Sequence, residues 1–341
     1  MDDRPRPGSA AGPIDEDKDE EQGVMSGTGY YTHGDCRKHE MGPDHPECPQ
    51  RLDAIEDRLI ASGLDVALTR VEAPIASLDE LELAHERMHI AALRGLCATL
   101  ADDEAAGGPR YAVIDPDTSM NIATWDAVLR GAGAAMAATD AVIAGEFQNA
   151  FCAVRPPGHH AMRNKAMGFC FINNVAVAAK YALERHGLRR VAIVDFDVHH
   201  GNGTEDIIAG DRRILMASFF QHPYYPHSGE PSSADNMVNL PVPAYTKGLE
   251  IRELVDTYWM PRLEAHRPEM IFISAGFDSH REDDMGQLGL VEADYAWITE
   301  RLMDVARRHG KGRIVSCLEG GYNLSALGRS VEAHLRALAD M

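Results

Sequence analysis

From residue 28 onward the chain alternates between short apolar runs and longer stretches with a helical period. The runs are "NAFCAV" (149–154), "RVAIVDFD" (190–197), "ILMASFF" (214–220), "MIFISAGFD" (270–278) and "RIVSCLEGGY" (313–322). They are rich in β-branched residues and apolar at consecutive positions, as strands covered on both faces are. "TGYYTH" (28–33) predicts a further strand. Helical spacing marks "RLDAIEDRLIASGL" (51–64), "WDAVLRGAGAAMAATDAVIAG" (125–145) and "FINNVAVAAKYALERHG" (171–187), the first stopping at Gly63 and the last at Gly187. The expected architecture is α/β: a central, mostly parallel β-sheet with helices on both faces. Residues 1–27 carry no apolar period and are dominated by Pro, Gly and acids, so they read as a disordered tail before one folded domain over 28–341. Met25, at the end of that tail, offers an alternative translation start.

Composition narrows the class. With 341 residues, 45% of them hydrophobic, the chain can bury one large core. Its apolar runs fall short of the ~18 residues of a membrane span, and the N-terminus lacks the pattern of a secretory signal. The six cysteines form no CxxC pair and read as reduced thiols, which fits a cytoplasmic protein. The net charge is −20; the tail has eight acids and three bases, so −5 belongs to it and −15 to the rest. An acidic surface repels nucleic acid and favours cationic partners. No direct nucleic-acid or membrane contact is expected, and both a monomer and a homo-oligomer fit the composition.

Chemistry collects at the ends of the strands, where ligands bind in open α/β sheets. The run 149–154 leads to Arg155-Pro156-Pro157-Gly158-His159-His160, and 190–196 leads to Asp197, His199, His200 and Asn202. The run 270–277 leads to Asp278, and 313–318 leads to Glu319-Gly320-Gly321-Tyr322. In an extended segment positions i and i+2 share a face, so Asp197 and His199 can grip one ion and Asp278 can close a third corner. One imidazole and two carboxylates leave coordination positions open, as in a catalytic metal site. Zn²⁺ is the default ion, with Fe²⁺ or Co²⁺ as acceptable substitutes for the same donors. His159 and His160 can divide proton transfer between them if each has its own orienting partner, and Asp195 and Asn202 are the candidates. Tyr322 after two glycines can donate to an oxyanion.

"RPPGHHA", "GFCFINNVAVAA", "VDFDVHHGNGT", "SAGFDSH" and "LEGGYN", in this order, resemble the histone deacetylase superfamily. "HPECPQRL" (45–52) fits its class II-like branch, with the bacterial histone deacetylase-like amidohydrolases and acetylpolyamine amidohydrolases. The resemblance covers roughly residues 28–338. It implies an arginase/deacetylase-like fold with the active site at the C-terminal ends of the strands, and Zn²⁺-dependent hydrolysis of N-acetyl amides. It makes Asp197, His199 and Asp278 the metal ligands. It makes His160 the general base and acid, His159 its electrostatic helper, and Tyr322 the donor to the acetyl oxygen. Asp195 and Asn202 become the partners of the two histidines. Gly168 and Phe169 form one tunnel wall and Tyr225 the other, Arg51 lies at the inner end, and Asp115 holds substrate at the rim. Asp195 with Ser218 would line a structural K⁺ site. Met285 stands where polyamine-selective relatives carry glutamate, which points to acetyl-lysine peptides ahead of small N-acetyl amines. Two other readings are a dimanganese ureohydrolase, which needs further Asp and His ligands, and a non-catalytic binder of acylated proteins or short-chain acids, which does not need the filled constellation.

Overall fold

Every one of the apolar runs becomes a strand of a single sheet. The computed structural model describes residues 1–2 and 27–341, so nearly all of the expected acidic tail, with Met25, lies outside the described residues. The strands are β1 (Thr28–Thr32), β2 (Leu68–Glu72), β3 (Ala112–Asp115), β4 (Thr118–Met120), β5 (Asn149–Cys152), β6 (Val191–Asp195), β7 (Ile214–Gln221), β8 (Met237–Val242), β9 (Ile271–Ala275) and β10 (Ile314–Leu318). Eight of them form one sheet in the order β2-β1-β5-β10-β9-β6-β7-β8, while β3 and β4 make a separate hairpin. Every pairing in the large sheet is parallel. The architecture is the α/β fold that the strand runs predict.

The four central strands β5, β10, β9 and β6 are buried along their whole length. The edge strands differ: β2 exposes most of its positions and β8 carries Pro241, which a sheet tolerates only where a ladder bond is not needed. Helices Thr124–Ala144 and Asn174–Glu184 cover one face, packing on β5, β10, β6 and β9; Leu324–Leu338 packs between Gln50–Ser62 and Glu292–His309 on the other. Thr124–Ala144 is, by its 21 residues and mean hydropathy of 1.3, long and apolar enough to cross a membrane. Here 72% of its apolar window is buried inside the fold.

Because all eight strands run the same way, their carboxyl ends open at one edge. The loops that follow β5, β6, β9 and β10 therefore meet, which places residues 155–160, 197–202, 278–285 and 319–322 around one point.

Candidate active site

Asp197, His199 and Asp278 converge as the i, i+2 rule predicts. One donor atom from each lies within 4.8 Å of the others, and all three residues are buried. Nδ1 of His199 stands 3.0 Å from Oδ1 of Asp197 and 3.2 Å from Oδ2 of Asp278. Backbone donors also hold the carboxylates, His199 N–H to Asp197 Oδ1 (2.9 Å), Gly320 N–H to Asp197 Oδ2 (2.9 Å) and Val198 N–H to Asp278 Oδ1 (2.8 Å), and His159 Nε2 stands 3.7 Å from Asp197 Oδ2.

Three observations fit a cation here. Oδ2 of Asp278 is buried without a hydrogen bond, which is costly unless something occupies it. Burial and the Asp197 carboxylate push the Asp278 carboxyl up to about 7 even with His199 beside it, as two acids confined together do. The backbone leaves room for no side chain: a Cβ at Gly320 would fall 2.1 Å from Asp278 Oδ2 and 2.6 Å from Asp197 Oδ2. The nitrogen and oxygen donor set suits zinc, iron or cobalt.

The two histidines sit side by side, ring centroids 4.0 Å apart, with different partners. His159 Nδ1 is 3.0 Å from Asp195 Oδ2; His160 Nδ1 is 2.7 Å from Asn202 Oδ1. Against the cost of burial, the Asp197 and Asp195 carboxylates hold the His159 imidazolium well above its ordinary range. Burial, with His159 and His199 nearby, pushes His160 well below. An amide oxygen only accepts, so Nδ1 of His160 carries the hydrogen and Nε2 is left as the basic nitrogen. His200 turns away: its ring lies 4.5 Å from that of Phe220, and its Nε2 is 3.0 Å from Glu205 Oε2.

Above the Asp-His-Asp group opens a cavity of about 180 Å³, lined by Asp117, His160, Gly168, Phe169, His199, Tyr224, Tyr225, Met285 and Tyr322. Phe169 meets the Tyr322 ring edge-on at 5.8 Å. Of the expected substrate residues, Gly168, Phe169, Tyr225 and Met285 line this cavity, and Asp115 and Arg51 do not. Asp115 ends β3, and its Oδ1 accepts the N–H of Asp117, the carboxylate that does line the cavity. Arg51 is fully buried beneath it, its guanidinium 4.9 Å from the Tyr322 ring centre, and it donates to the carbonyls of Gly321 (2.7 Å) and Glu319. Asp195 and Ser218, expected around K⁺, are register partners on β6 and β7. The Ser218 hydroxyl donates to Asn239 Oδ1, and the Asp195 oxygens face His159 and the N–H of Asp197.

Two further buried acids, Glu47 and Glu319, shape the site. Glu47 is clasped by Arg155 and Arg51. Glu319 accepts the N–H groups of Gly158 (2.6 Å) and His159 (3.0 Å), fixing the HH segment, and burial raises its carboxyl to about 7. Tyr224 stacks on His199 at 5.6 Å. The buried strand run ending directly at Glu319 is the one sequence signal among these.

Comparison with known proteins gives this geometry its context. Residues 45–338 match the family described as histone deacetylase domain. A "probable deacetylase" of Archaeoglobus fulgidus is 35% identical over 305 residues, 87% of this chain and 82% of its own length. A "histone deacetylase-like amidohydrolase" of Pseudomonas aeruginosa is 35% identical over 286 residues, 82% of this chain and 73% of its own. The crystal structure of the HD domain of HDA15 superposes with a TM-score of 0.83 at 31% identity, covering 92% of this chain and 90% of that one.

Proposed function

From the premise that the chain belongs to the histone deacetylase family, and so is a hydrolase of amide bonds, we propose that it is a zinc-dependent deacetylase acting on acetyl-lysine side chains of peptides or proteins. The observation that carries this reading is the narrow cavity in which Phe169, Tyr225 and Met285 surround a path to His160, Tyr322 and the Asp-His-Asp group. A slender aliphatic stem ending in an acetamide fits such a path.

Asp197, His199 and Asp278 would hold the ion. A divalent metal, when bound, supplies Lewis acidity that lowers the pKa of water and polarises a carbonyl. The protein does the rest. His160, uncharged and anchored through Nδ1 to Asn202, takes the proton of the attacking water at Nε2. Tyr322 donates its hydroxyl to the acetyl oxygen as negative charge develops there. His159, kept cationic by Asp195 and Asp197, stabilises that charge, and the proton on His160 passes to the departing amine. Phe169 and Tyr225 exclude water from the stem.

A second reading, a small N-acetylated polyamine as substrate, is favoured by Asp117, whose carboxylate at the cavity wall can pair with a free ammonium. One zinc-loaded preparation assayed on an acetyl-lysine peptide and on N-acetylputrescine decides between them. The first reading expects the higher kcat/KM on the peptide; a preference for N-acetylputrescine would replace it with the second.

A further inference from the structure

In sequence, Asp283 belongs to "REDDMG" (281–286), which looks like a run of solvated charge. In the fold its neighbours Glu282 and Asp284 are exposed, whereas Asp283 is only 5% exposed. It makes no ion pair among the described residues. Its two oxygens are spent on the backbone of two segments. Oδ1 accepts the N–H of Met285 at 3.0 Å; Oδ2 accepts those of Tyr322 at 2.6 Å and Asn323 at 2.8 Å. A buried carboxylate without a cation is stabilised only by such donors, and its bonds to them are strong ones.

Two of these three donors, Met285 and Tyr322, line the cavity. Tyr322 lies in the stretch between β10 and helix Leu324–Leu338, without regular structure and directly after Gly320-Gly321. Its ring rests between the Arg51 guanidinium at 4.9 Å and the Phe169 ring at 5.8 Å. These contacts act on the ring faces and edges and leave its position along the ring axis to the backbone. Arg51 holds the preceding Gly321 carbonyl at 2.7 Å, and the bond to Asp283 at 2.6 Å is the restraint on the N–H of Tyr322 itself. The same carboxylate holds the loop that carries Met285. One buried side chain thus sets the phenol and a tunnel wall relative to each other.

We propose that Asp283 is a positioning residue for amide hydrolysis: by clamping the backbone of Tyr322 and Met285 it places the Tyr322 hydroxyl at the acyl oxygen. The proposal rests on the reading of Tyr322 as the oxyanion donor given above. Asp283→Asn keeps the shape but presents an NH₂ group where an oxygen accepted N–H donors. A misplacement on the order of 1 Å can cost about 10²-fold in rate, so kcat of Asp283→Asn on an acetyl-lysine peptide should fall roughly 10- to 100-fold while KM changes less than about threefold. Trifluoroacetyl-lysine, whose oxyanion is intrinsically stabilised, should lose far less. In the Tyr322→Phe background the Asp283→Asn substitution should add almost nothing. Equal losses on both acyl groups, or a double variant that loses the full Asp283→Asn factor again, would overturn the proposal. The ratio of the two substrates within one preparation is independent of the fraction folded, so poor folding does not blur the result. 3-Fluorotyrosine at position 322, read by ¹⁹F NMR, decides the matter without turnover. Asp283→Asn should shift or broaden its resonance, and an unmoved resonance counts against positioning. An inactive wild-type protein would refute the Tyr322 reading while leaving this measurement intact.

Discussion

The amide oxygen of Asn202 lies 2.7 Å from Nδ1 of His160. A neutral amide partner orients the ring and favours its protonated form less than a carboxylate does, and burial with His159 and His199 nearby keeps His160 low. Asn202→Asp replaces the amide with a carboxylate and raises the His160 pKa. A base works only when neutral, so the acidic limb of the kcat/KM profile should move to higher pH by about one unit. A pH–rate profile on an acetyl-lysine peptide checks this; an unmoved limb would show that His160 is not the base.

Removal of the ion should abolish turnover and return it on reloading. Asp278→Ala should bind substantially less than the one equivalent expected of the wild type, measured by elemental analysis of the purified protein. An ion bound only by the folded form stabilises it by mass action, about 2.7 kcal/mol at a hundredfold excess over Kd. The wild type should therefore melt at a higher temperature with Zn²⁺ than after chelation, and Asp278→Ala should show little difference.

Gly168 has φ = +56°, and a Cβ there would meet Cδ2 of His160 at 2.5 Å and the Tyr225 hydroxyl at 2.9 Å. Gly168→Ala should lower kcat/KM on acetyl-lysine by more than about tenfold, since the methyl group displaces the base or the wall and a small misplacement is costly. Its metal content should stay at the wild-type level, because no ligand is touched.

Packed edge-on against Phe196 and Phe277, each 5.9 Å away, His334 is fully buried between Thr299 Oγ1 at 2.6 Å and Ser316 Oγ at 2.9 Å. Burial pushes its pKa down to about 3, whereas an unfolded histidine titrates near ~6.5. Between these values the unfolded chain binds the extra proton, so stability rises with pH. The contribution is complete above about 6.5 and is lost as pH falls toward 3, with a slope of at most ~1.4 kcal/mol per pH unit. Denaturant titrations of the wild type and His334→Gln between pH 7 and 4 should show a shallower slope in the variant.

Much of this molecule is legible in its sequence because the central strands are apolar throughout and end directly in their functional residues. The runs 190–197, 270–278 and 313–322 each contain a strand and the chemistry that follows it. The edge strands are harder to read: β2 exposes most of its side chains and β8 contains a proline. Asp115 and Asp117 show a finer limit. A register shift between Val113 and Asp115 breaks the simple alternation of the β3–β4 hairpin, so spacing alone does not say which carboxylate enters the cavity. Asp283 and Glu47 look like ordinary surface acids, since burial of a charged residue is decided by partners distant in the chain. Glu47 meets Arg155 across 108 positions.

The bonds from Val198 N–H to Asp278 and from Gly320 N–H to Asp197 span 80 and 123 positions. Closing loops of that length costs chain entropy before any contact rewards it. The donor triangle therefore forms only where β6 and β9 have paired, and Tyr322 and the bond from Gly320 arrive only with β10. A nascent chain lacking β10 has all three side chains of the triangle but neither the Gly320 bond that braces Asp197 nor the phenol of Tyr322.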